Sequence, residues 1–354
     1  MSGERPGVID WDLAARIARS LAGNGTGKRS VRQTEIRSAA RGSAGMVRDF
    51  TGLETRGRLP SPETVDRREW IDANLDGMRA MSGQAEEALT RSLELPGPLG
   101  RAARTATGIA AGVELGLVSA YMAQRVLGQY DVALLGQSRR PRLLFVAPNL
   151  AEAQRRLDVD RAPFLRWIAL HEATHAVQFA AVPWLRDNLG AMAQELLGSA
   201  FSGVNAREAL RAVARVGWDP RRIVGALRSG EWMSPFLGRE RGRTFRRLQA
   251  TMAVVEGYSD FVMDGIGAEL GPEYAAMRER VEGRRAQRGV IETLISRLLG
   301  MEMKLSQYEQ GKAFCDEVAR RADLQTLNLV WSEPAAMPRP SELREPARWL
   351  TRVA

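Results

Sequence analysis

Apolar residues recur at helical spacing along most of the chain, and this pattern predicts a mainly α-helical protein. Proline, glycine and capping residues set the predicted boundaries; Asp160 caps one helix, which Pro183 limits downstream. Asn24 to Gly27 is predicted to be a loop, and the proline-rich tail after Trp331 is predicted to wrap the surface. Helices are predicted over residues 11–21, 31–50, 61–81, 101–128, 160–182, 186–199, 205–216, 219–228, 244–264, 272–299 and 300–321.

One short segment has the character of a strand. Residues 143–146 read LLFV and are followed by Pro148 and Asn149, so we expect a small sheet or a single edge strand before the helix of residues 160–182. If it lies at a sheet edge, this strand could hold an extended peptide by backbone pairing. Ser61 followed by Pro62 instead has the pattern of a helix start, with Ser as N-cap and Pro at the first helical position.

Residues 107–126 form the most apolar stretch, which is about as long as a membrane span. Glu114 lies inside it, and an unpaired charge there would be costly in a bilayer. Gly108, Gly112 and Gly116 follow one another at four-residue intervals, a spacing that lets another helix approach closely. We therefore predict a buried helix and no membrane span.

Composition narrows the class of protein. The chain has 354 residues, of which 44% are hydrophobic, so it is long enough for a large core. Its one cysteine, Cys315, excludes an internal disulfide, and no secretory signal is expected at the N-terminus, which together favour a cytoplasmic location. The net charge is +9, and residues 201–250 carry eleven arginines against four acidic residues. Because arginine supplies nearly all basic residues throughout this alanine-rich chain, a basic rim is favoured over a nucleic-acid partner.

The segment from His171 to His175 reads HEATH, which is the HExxH pattern, and these are the protein's only histidines. On a helix, residues i and i+4 project from the same face, so both imidazoles can bind one ion. Glu172, beside the first histidine, can then reach water on that ion. The pattern is typical of zinc metallopeptidases, and we predict a Zn²⁺ site with His171 and His175 as ligands.

The third protein ligand is expected to be Glu256, a carboxylate in an otherwise apolar helical segment. Asp260 lies four residues further on the same face and is predicted to accept the free ring N–H of a ligand histidine. Asp264 and Glu195 are the alternative third ligands. The neighbouring Gly257 is expected to allow close helix packing.

Four segments together resemble the actinobacterial zincin-like metallopeptidases, a family often labelled as associated with biosynthesis of a deazaflavin redox coenzyme. They are RLLFVAPNL, FLRWIALHEATHAVQF, VVEGYSDFVMDG and KLSQYEQGKAFCDEV. The resemblance implies a zincin-like helical metal core and covers nearly the whole chain. The wider class pairs HExxH with Glu-x-x-x-Asp, which Glu256 and Asp260 match. Here Glu256 lies 81 positions after His175, so a helical insertion is expected between the ligands.

We therefore expect one domain over residues 1–354. Its parts are N-terminal helices (1–100), the strand and HExxH helix (141–182), a helical insertion (183–243), and the third-ligand and C-terminal helices (244–330). The expected activity is hydrolysis of a peptide or amide with Glu172 as general base. Tyr258 and Tyr308 are candidate oxyanion donors. The alternatives are a zinc-containing scaffold without proteolysis and, less favoured, a nucleic-acid-associated protein.

Overall fold

A computed structural model describes residues 8–23, 30–92, 97–131, 140–201, 239–285 and 306–353. The fold is mainly α-helical with one small sheet, as predicted. The helices are α1 (Trp11–Leu21), α2 (Gln33–Ala39), α3 (Ser43–Thr51), α4 (Arg67–Ser92), α5 (Gly97–Ala123), α6 (Ala147–Leu157), α7 (Arg161–Ala181), α8 (Pro183–Phe201), α9 (Arg239–Gly267), α10 (Pro272–Arg285), α11 (Ser306–Arg321), α12 (Leu324–Asn328) and α13 (Pro346–Val353).

Three strands form the sheet in the order β1-β3-β2: β1 (Pro62–Val65), β2 (Gly128–Asp131) and β3 (Arg142–Val146). β1 runs parallel to β3, and β2 runs antiparallel to it. The predicted strand is therefore confirmed as β3, but it is the central strand. Because both of its sides are paired, the hypothesis that it holds an extended peptide at an edge is wrong.

β1 replaces the helix start that was predicted at Ser61. Its backbone pairs with β3, and the side-chain amide of Gln33 covers its other edge. Gln33 Nε2 donates to Pro62 O, and Gln33 Oε1 accepts from Thr64 N, both at 2.6 Å. The helix begins after Asp66, which exchanges capping hydrogen bonds with Glu69. Long-range pairing with β3 thus overrides a local signal that favours a helix.

The sheet separates two hydrophobic cores because its side chains alternate between two faces. Leu143 and Phe145 of β3 join the larger core, which contains most of α7 and α9. Leu144 and Val146 join the smaller core, built with α1, α4 and the end of α5. α2 and α3 also pack in the larger core, so helices from the N-terminal part contribute to both. The assignment of one domain to the whole chain remains a prediction.

α5 is long and apolar enough over Gly100–Ala123 to cross a membrane, judged by length and composition alone. Its glycine series contacts α1 and the residues before it. A β-carbon added at Gly108 would lie 2.1 Å from Val8 O, and one at Gly112 would lie 2.5 Å from Asp10 O. The glycines therefore have the predicted role of admitting a neighbouring helix. α5 ends at Ala123, earlier than expected, because β2 begins at Gly128.

Two further predictions need correction. The helix expected over residues 31–50 is divided into α2 and α3, and Gly42 between them has a φ of 79°. The tail was expected on the surface, but Trp349 of α13 is fully buried against Phe314, with ring centroids 5.3 Å apart. Its indole N–H donates to Ala336 O at 2.7 Å.

Some predicted elements lie outside the described residues. They are the loop over residues 24–27, the helices over 205–216 and 219–228, and the C-terminal part of the helix predicted over 272–299. Most of the arginine-rich segment and of the insertion over 183–243 is also outside the described part of the chain.

Candidate metal centre

α7 carries the two histidines in its interior. It begins after Asp160 and ends at Ala181, just before Pro183. Residues on almost every side of its middle are buried, so the helix runs through the larger core. His171 and His175 face the same direction, and their Nε2 atoms lie 3.1 Å apart. The four-residue spacing therefore produces the predicted juxtaposition.

α9 brings Glu256 to these histidines. Glu256 Oε2 lies 3.7 Å from His171 Nε2 and 3.6 Å from His175 Nε2. Within the described residues, His171, His175 and Glu256 form the one group of three or more His, Cys, Asp or Glu side chains close enough to share an ion. Tetrahedral zinc with bonds of about 2.0–2.1 Å needs ligand atoms roughly 3.3–3.4 Å apart. The three side chains therefore fit zinc with little movement.

Gln178 fixes the orientation of His175. It is fully buried and lies one turn further along α7. Its Nε2 donates to Val255 O at 3.1 Å, so its Oε1 must act as an acceptor, and this atom lies 3.0 Å from His175 Nδ1. His175 Nδ1 then carries the proton of that hydrogen bond, which leaves Nε2 free to bind a metal.

Ser259 gives His171 a similar partner. Its Oγ lies 3.1 Å from His171 Nδ1, and the hydroxyl belongs to α9, three residues after Glu256. Neither Ser259 nor Gln178 is among the site residues predicted from the sequence. The i+3 spacing of Gln178 from His175 is visible in the sequence and could have indicated its role. The position of Ser259 depends on how α7 and α9 cross, which the sequence pattern does not give. The role predicted for Asp260 on a ligand histidine remains a prediction.

The two alternative third ligands are engaged elsewhere. Glu195 Oε1 accepts a hydrogen bond from Thr244 Oγ1 at 2.6 Å. Asp264 forms ion pairs with Arg278 and with Lys312, the latter at 2.9 Å. Both carboxylates therefore neutralise or cap groups outside the histidine pair.

Glu172 is buried beside the metal group, with 6% of its surface exposed. Burial raises the pKa of its carboxyl to about 7; His175 opposes this shift, Glu256 adds to it, and a hydrogen bond from the Tyr130 backbone opposes it. A general base is most effective when its pKa lies near the working pH. A bound cation would lower this pKa, because positive charge favours the carboxylate.

His175 is affected in the opposite way by the same carboxylates. Burial disfavours its charged form, but Glu256 and Glu172 outweigh burial and raise the pKa of His175 to about 9. Without metal, the protonated, charged form of His175 is therefore favoured beside Glu256, whose Oε2 lies 3.6 Å from His175 Nε2. A divalent cation between these side chains would replace that proton with a larger positive charge.

The two tyrosines proposed as oxyanion donors have different outcomes. Tyr258 is fully buried, and its hydroxyl donates to Asn328 Oδ1 at 2.7 Å. Its ring packs edge-on against Trp331, with centroids 5.1 Å apart. This geometry does not support Tyr258 as an oxyanion donor, because its hydroxyl is committed to the core. The side chain of Tyr308 lies outside the described part of the structure.

Comparison with known proteins agrees with this geometry. The sequence model of the zincin-like metallopeptidase family matches residues 9–350. A protein from Chloroflexus aurantiacus, provisionally described from its crystal structure as a hydrolase with a novel fold, is 28% identical to the chain. The alignment covers 97% of this chain and 98% of that one, with a TM-score of 0.66. No curated protein matches. These findings support a hydrolase or peptidase role and leave the deazaflavin association a prediction.

Proposed function

Because the chain belongs to the zincin-like metallopeptidase family, we propose that it is a zinc-dependent peptidase or amide hydrolase with Glu172 as general base. The observation that carries this proposal is the convergence of His171, His175 and Glu256. Their ligand atoms lie 3.1 to 3.7 Å apart, beside a buried glutamate that is not itself one of the three. A purely structural zinc site has no need of that glutamate, since such sites close their fourth position with a protein group.

His171 and His175 would hold zinc through Nε2, and Glu256 through a carboxylate oxygen. When bound, zinc would supply Lewis acidity that polarises a carbonyl and acidifies water. Glu172 would accept a proton from the attacking water and later donate it to the departing amine. Gln178 and Ser259 would keep both imidazoles in the orientation that presents Nε2.

The proposal is tested by comparing wild type with Glu172→Gln at equal zinc content. Glutamine keeps the shape of the side chain but cannot accept the proton of water at neutral pH. We expect one zinc per chain in both proteins. We also expect chelator-sensitive hydrolysis of a peptide and amide library by wild type, reduced in the variant by about a hundred-fold or more.

Glu195→Gln is the matched control. It makes the same change at a carboxylate that accepts a hydrogen bond from Thr244 and does not contact the metal group. It should keep wild-type rates. Equal rates for Glu172→Gln and wild type would remove Glu172 as the general base. Stoichiometric zinc with no hydrolysis of any library member would favour the alternative of a zinc-containing scaffold.

The proposed location is the cytoplasm, where the single buried Cys315 would stay reduced. The proposed partner is a peptide or amide substrate. A nucleic-acid partner is the less favoured alternative, because arginine supplies nearly all the basic residues throughout the chain. Fractionation of the producing cell, with the protein followed by antibody, tests the location; recovery outside the cytoplasmic fraction would contradict it.

A further inference from the structure

β2 passes directly beside Glu172 and presents backbone groups to it. Val146 N donates to Leu127 O at 2.9 Å. In the register of β2 and β3 these two residues lie opposite each other, so they form a hydrogen-bonded pair of the ladder. Since paired and unpaired residues alternate in an antiparallel ladder, Gln129 and Asp131 direct their amides to β3. The amides of Gly128 and Tyr130 therefore face the edge of β2 that no described strand covers.

Gly128 lies close against the side chain of Glu172. A β-carbon at Gly128 would lie 2.7 Å from both Cγ and Oε1 of Glu172 and 2.8 Å from its Cδ. Carbon atoms in contact normally stay about 3.5 Å apart or more, so no larger residue fits without displacing the carboxylate. Glycine at this position thus lets the strand lie against the full length of the Glu172 side chain.

β2 is anchored on both of its faces. On one face, Trp70 Nε1 donates to Gln129 Oε1 at 2.6 Å, and Gln129 Nε2 donates to Asn74 Oδ1 at 3.0 Å. On the other face, the Tyr130 ring packs against Phe179 of α7, with centroids 5.8 Å apart. The strand can therefore act as a fixed support for the side chain between it and the histidines.

We infer that Gly128 and the outward-facing amide of Tyr130 are positioning residues that hold the Glu172 carboxylate in its reactive place. This inference deepens the proposed function and rests on it. Gly128 supplies the space, and the Tyr130 amide supplies a hydrogen bond to the carboxylate. Neither residue takes part in binding the metal, so their contribution is confined to the general base.

The first test is Gly128→Ala. The added methyl group must push the carboxylate away by about 0.8 Å, and a displacement of about 1 Å can lower a rate by about a hundred-fold. We expect kcat to fall by about ten- to a hundred-fold, while KM and zinc content stay close to wild type. Asp131→Ala, in the same strand but directed to its other face, should keep the wild-type kcat.

A double-mutant cycle separates this effect from general damage to the strand. In a Glu172→Gln background no carboxylate remains to be positioned, so Gly128→Ala should lower the residual rate no further. An equal loss in both backgrounds would show that Gly128 acts on something other than Glu172 and would overturn the inference.

Tyr130→Pro provides a second variant that does not add bulk at Gly128. Proline removes the outward-facing N–H, and an edge strand tolerates it where that N–H takes no part in the ladder. Tyr130→Ala is the control, because it removes the ring and keeps the amide. The proline variant should lose about a further tenfold in kcat relative to Tyr130→Ala; equal values would contradict a role for the amide.

Crystal structures of zinc-loaded wild type and Gly128→Ala give a readout that needs no activity. Displacement of the Glu172 carboxylate in the variant, with unchanged histidines, supports the inference. An undisplaced carboxylate overturns it. If wild type hydrolyses nothing, the proposed function fails, and these two structures still decide whether β2 positions Glu172.

Discussion

At the scale of single residues, Gln178 links a metal ligand to the opposite helix. Its amide has one donor and one acceptor end, and Val255 O can only accept. The acceptor end must therefore face His175, which selects the imidazole tautomer with Nε2 free. The linked carbonyl belongs to the residue before Glu256, so one neutral side chain orients His175 and ties α7 to α9 at the same point.

Gln178→Leu should therefore weaken zinc binding by about ten- to a hundred-fold, because the ring of His175 loses its orienting partner and Val255 O loses its donor. Competition with a chromogenic zinc chelator would measure the change. The matched control is Gln33→Leu, which also removes an amide bonded at both ends, but at the edge of β1. An unchanged zinc affinity in Gln178→Leu would show that α7 alone sets the imidazole.

How much of the site is predictable depends on the range of the contacts. His171, Glu172 and His175 follow from spacing within one helix, and Glu256 follows from a carboxylate in an apolar segment. Ser259 and Gly128 come from other elements, and their positions relative to the motif depend on how the helices and the sheet pack. Periodicity along the chain carries no information about such crossings.

At the scale of elements, two glycines set the position of α9, the helix that carries Glu256. A β-carbon at Gly311 of α11 would lie 1.9 Å from Ala253 O, and one at Gly257 would lie 2.2 Å from the Gly311 carbonyl carbon. Gly257 does allow close helix packing, but the helix that it contacts so closely is α11. α11 thus supports α9 directly behind the metal ligand.

Gly311→Ala should push α11 away from α9 and destabilise the protein by about 1–3 kcal/mol through overpacking. It should also weaken zinc binding, because Glu256 lies within one turn of both contact points. Thermal unfolding and zinc competition measure the two effects. Gly45→Ala in α3 is the control, since its added β-carbon meets nothing within 4 Å. Wild-type stability in Gly311→Ala would mean that the helices separate without cost.

Most helices follow from their periodicity, and the failures occur where distant pairing or a backbone conformation decides. Ser61 and Pro62 satisfy the local rules for a helix start, but the structure has β1 at this position. The helix expected over residues 31–50 breaks at Gly42, whose positive φ ends the run. The backbone of β1 pairs with β3, about 80 residues later in the chain, and a local sequence pattern cannot predict such a distant partner.

At the scale of the whole molecule, distant parts of the chain complete one core around the metal group. The larger core includes Ile36 of α2, Val177 of α7 and Val254 of α9, and Trp349 joins it from α13. The proline content of the tail predicts a surface segment, and that criterion does not indicate that Trp349 is buried. The three ligands connect α7 and α9, so zinc would link segments 81 residues apart in the sequence.

Zinc binding should therefore stabilise the whole fold, and the effect should depend on pH. Free zinc at a hundred times its Kd adds about 2.7 kcal/mol to stability if the unfolded chain does not bind it. In the metal-free protein the pKa of His175 is raised from its ordinary value near 6.5 to about 9. The interactions that raise the pKa of His175 also stabilise the fold without zinc. That stabilisation is complete below pH 6.5 and is lost as the pH rises through 9.

Zinc must displace that proton, so its apparent affinity should increase by up to about tenfold per pH unit below pH 9. The rise in Tm on adding zinc should accordingly be larger at pH 8 than at pH 6.

Calorimetry at pH 8 in two buffers of different ionisation enthalpy should detect close to one proton released per zinc. Glu172→Gln should release fewer protons, because it removes one of the two carboxylates that raise the pKa of His175. His175→Ala should lose both the zinc-induced stabilisation and the proton release. Zinc binding to wild type at pH 8 without release of a proton would mean that His175 is neutral before the metal arrives, and would contradict the charge arrangement described for this site.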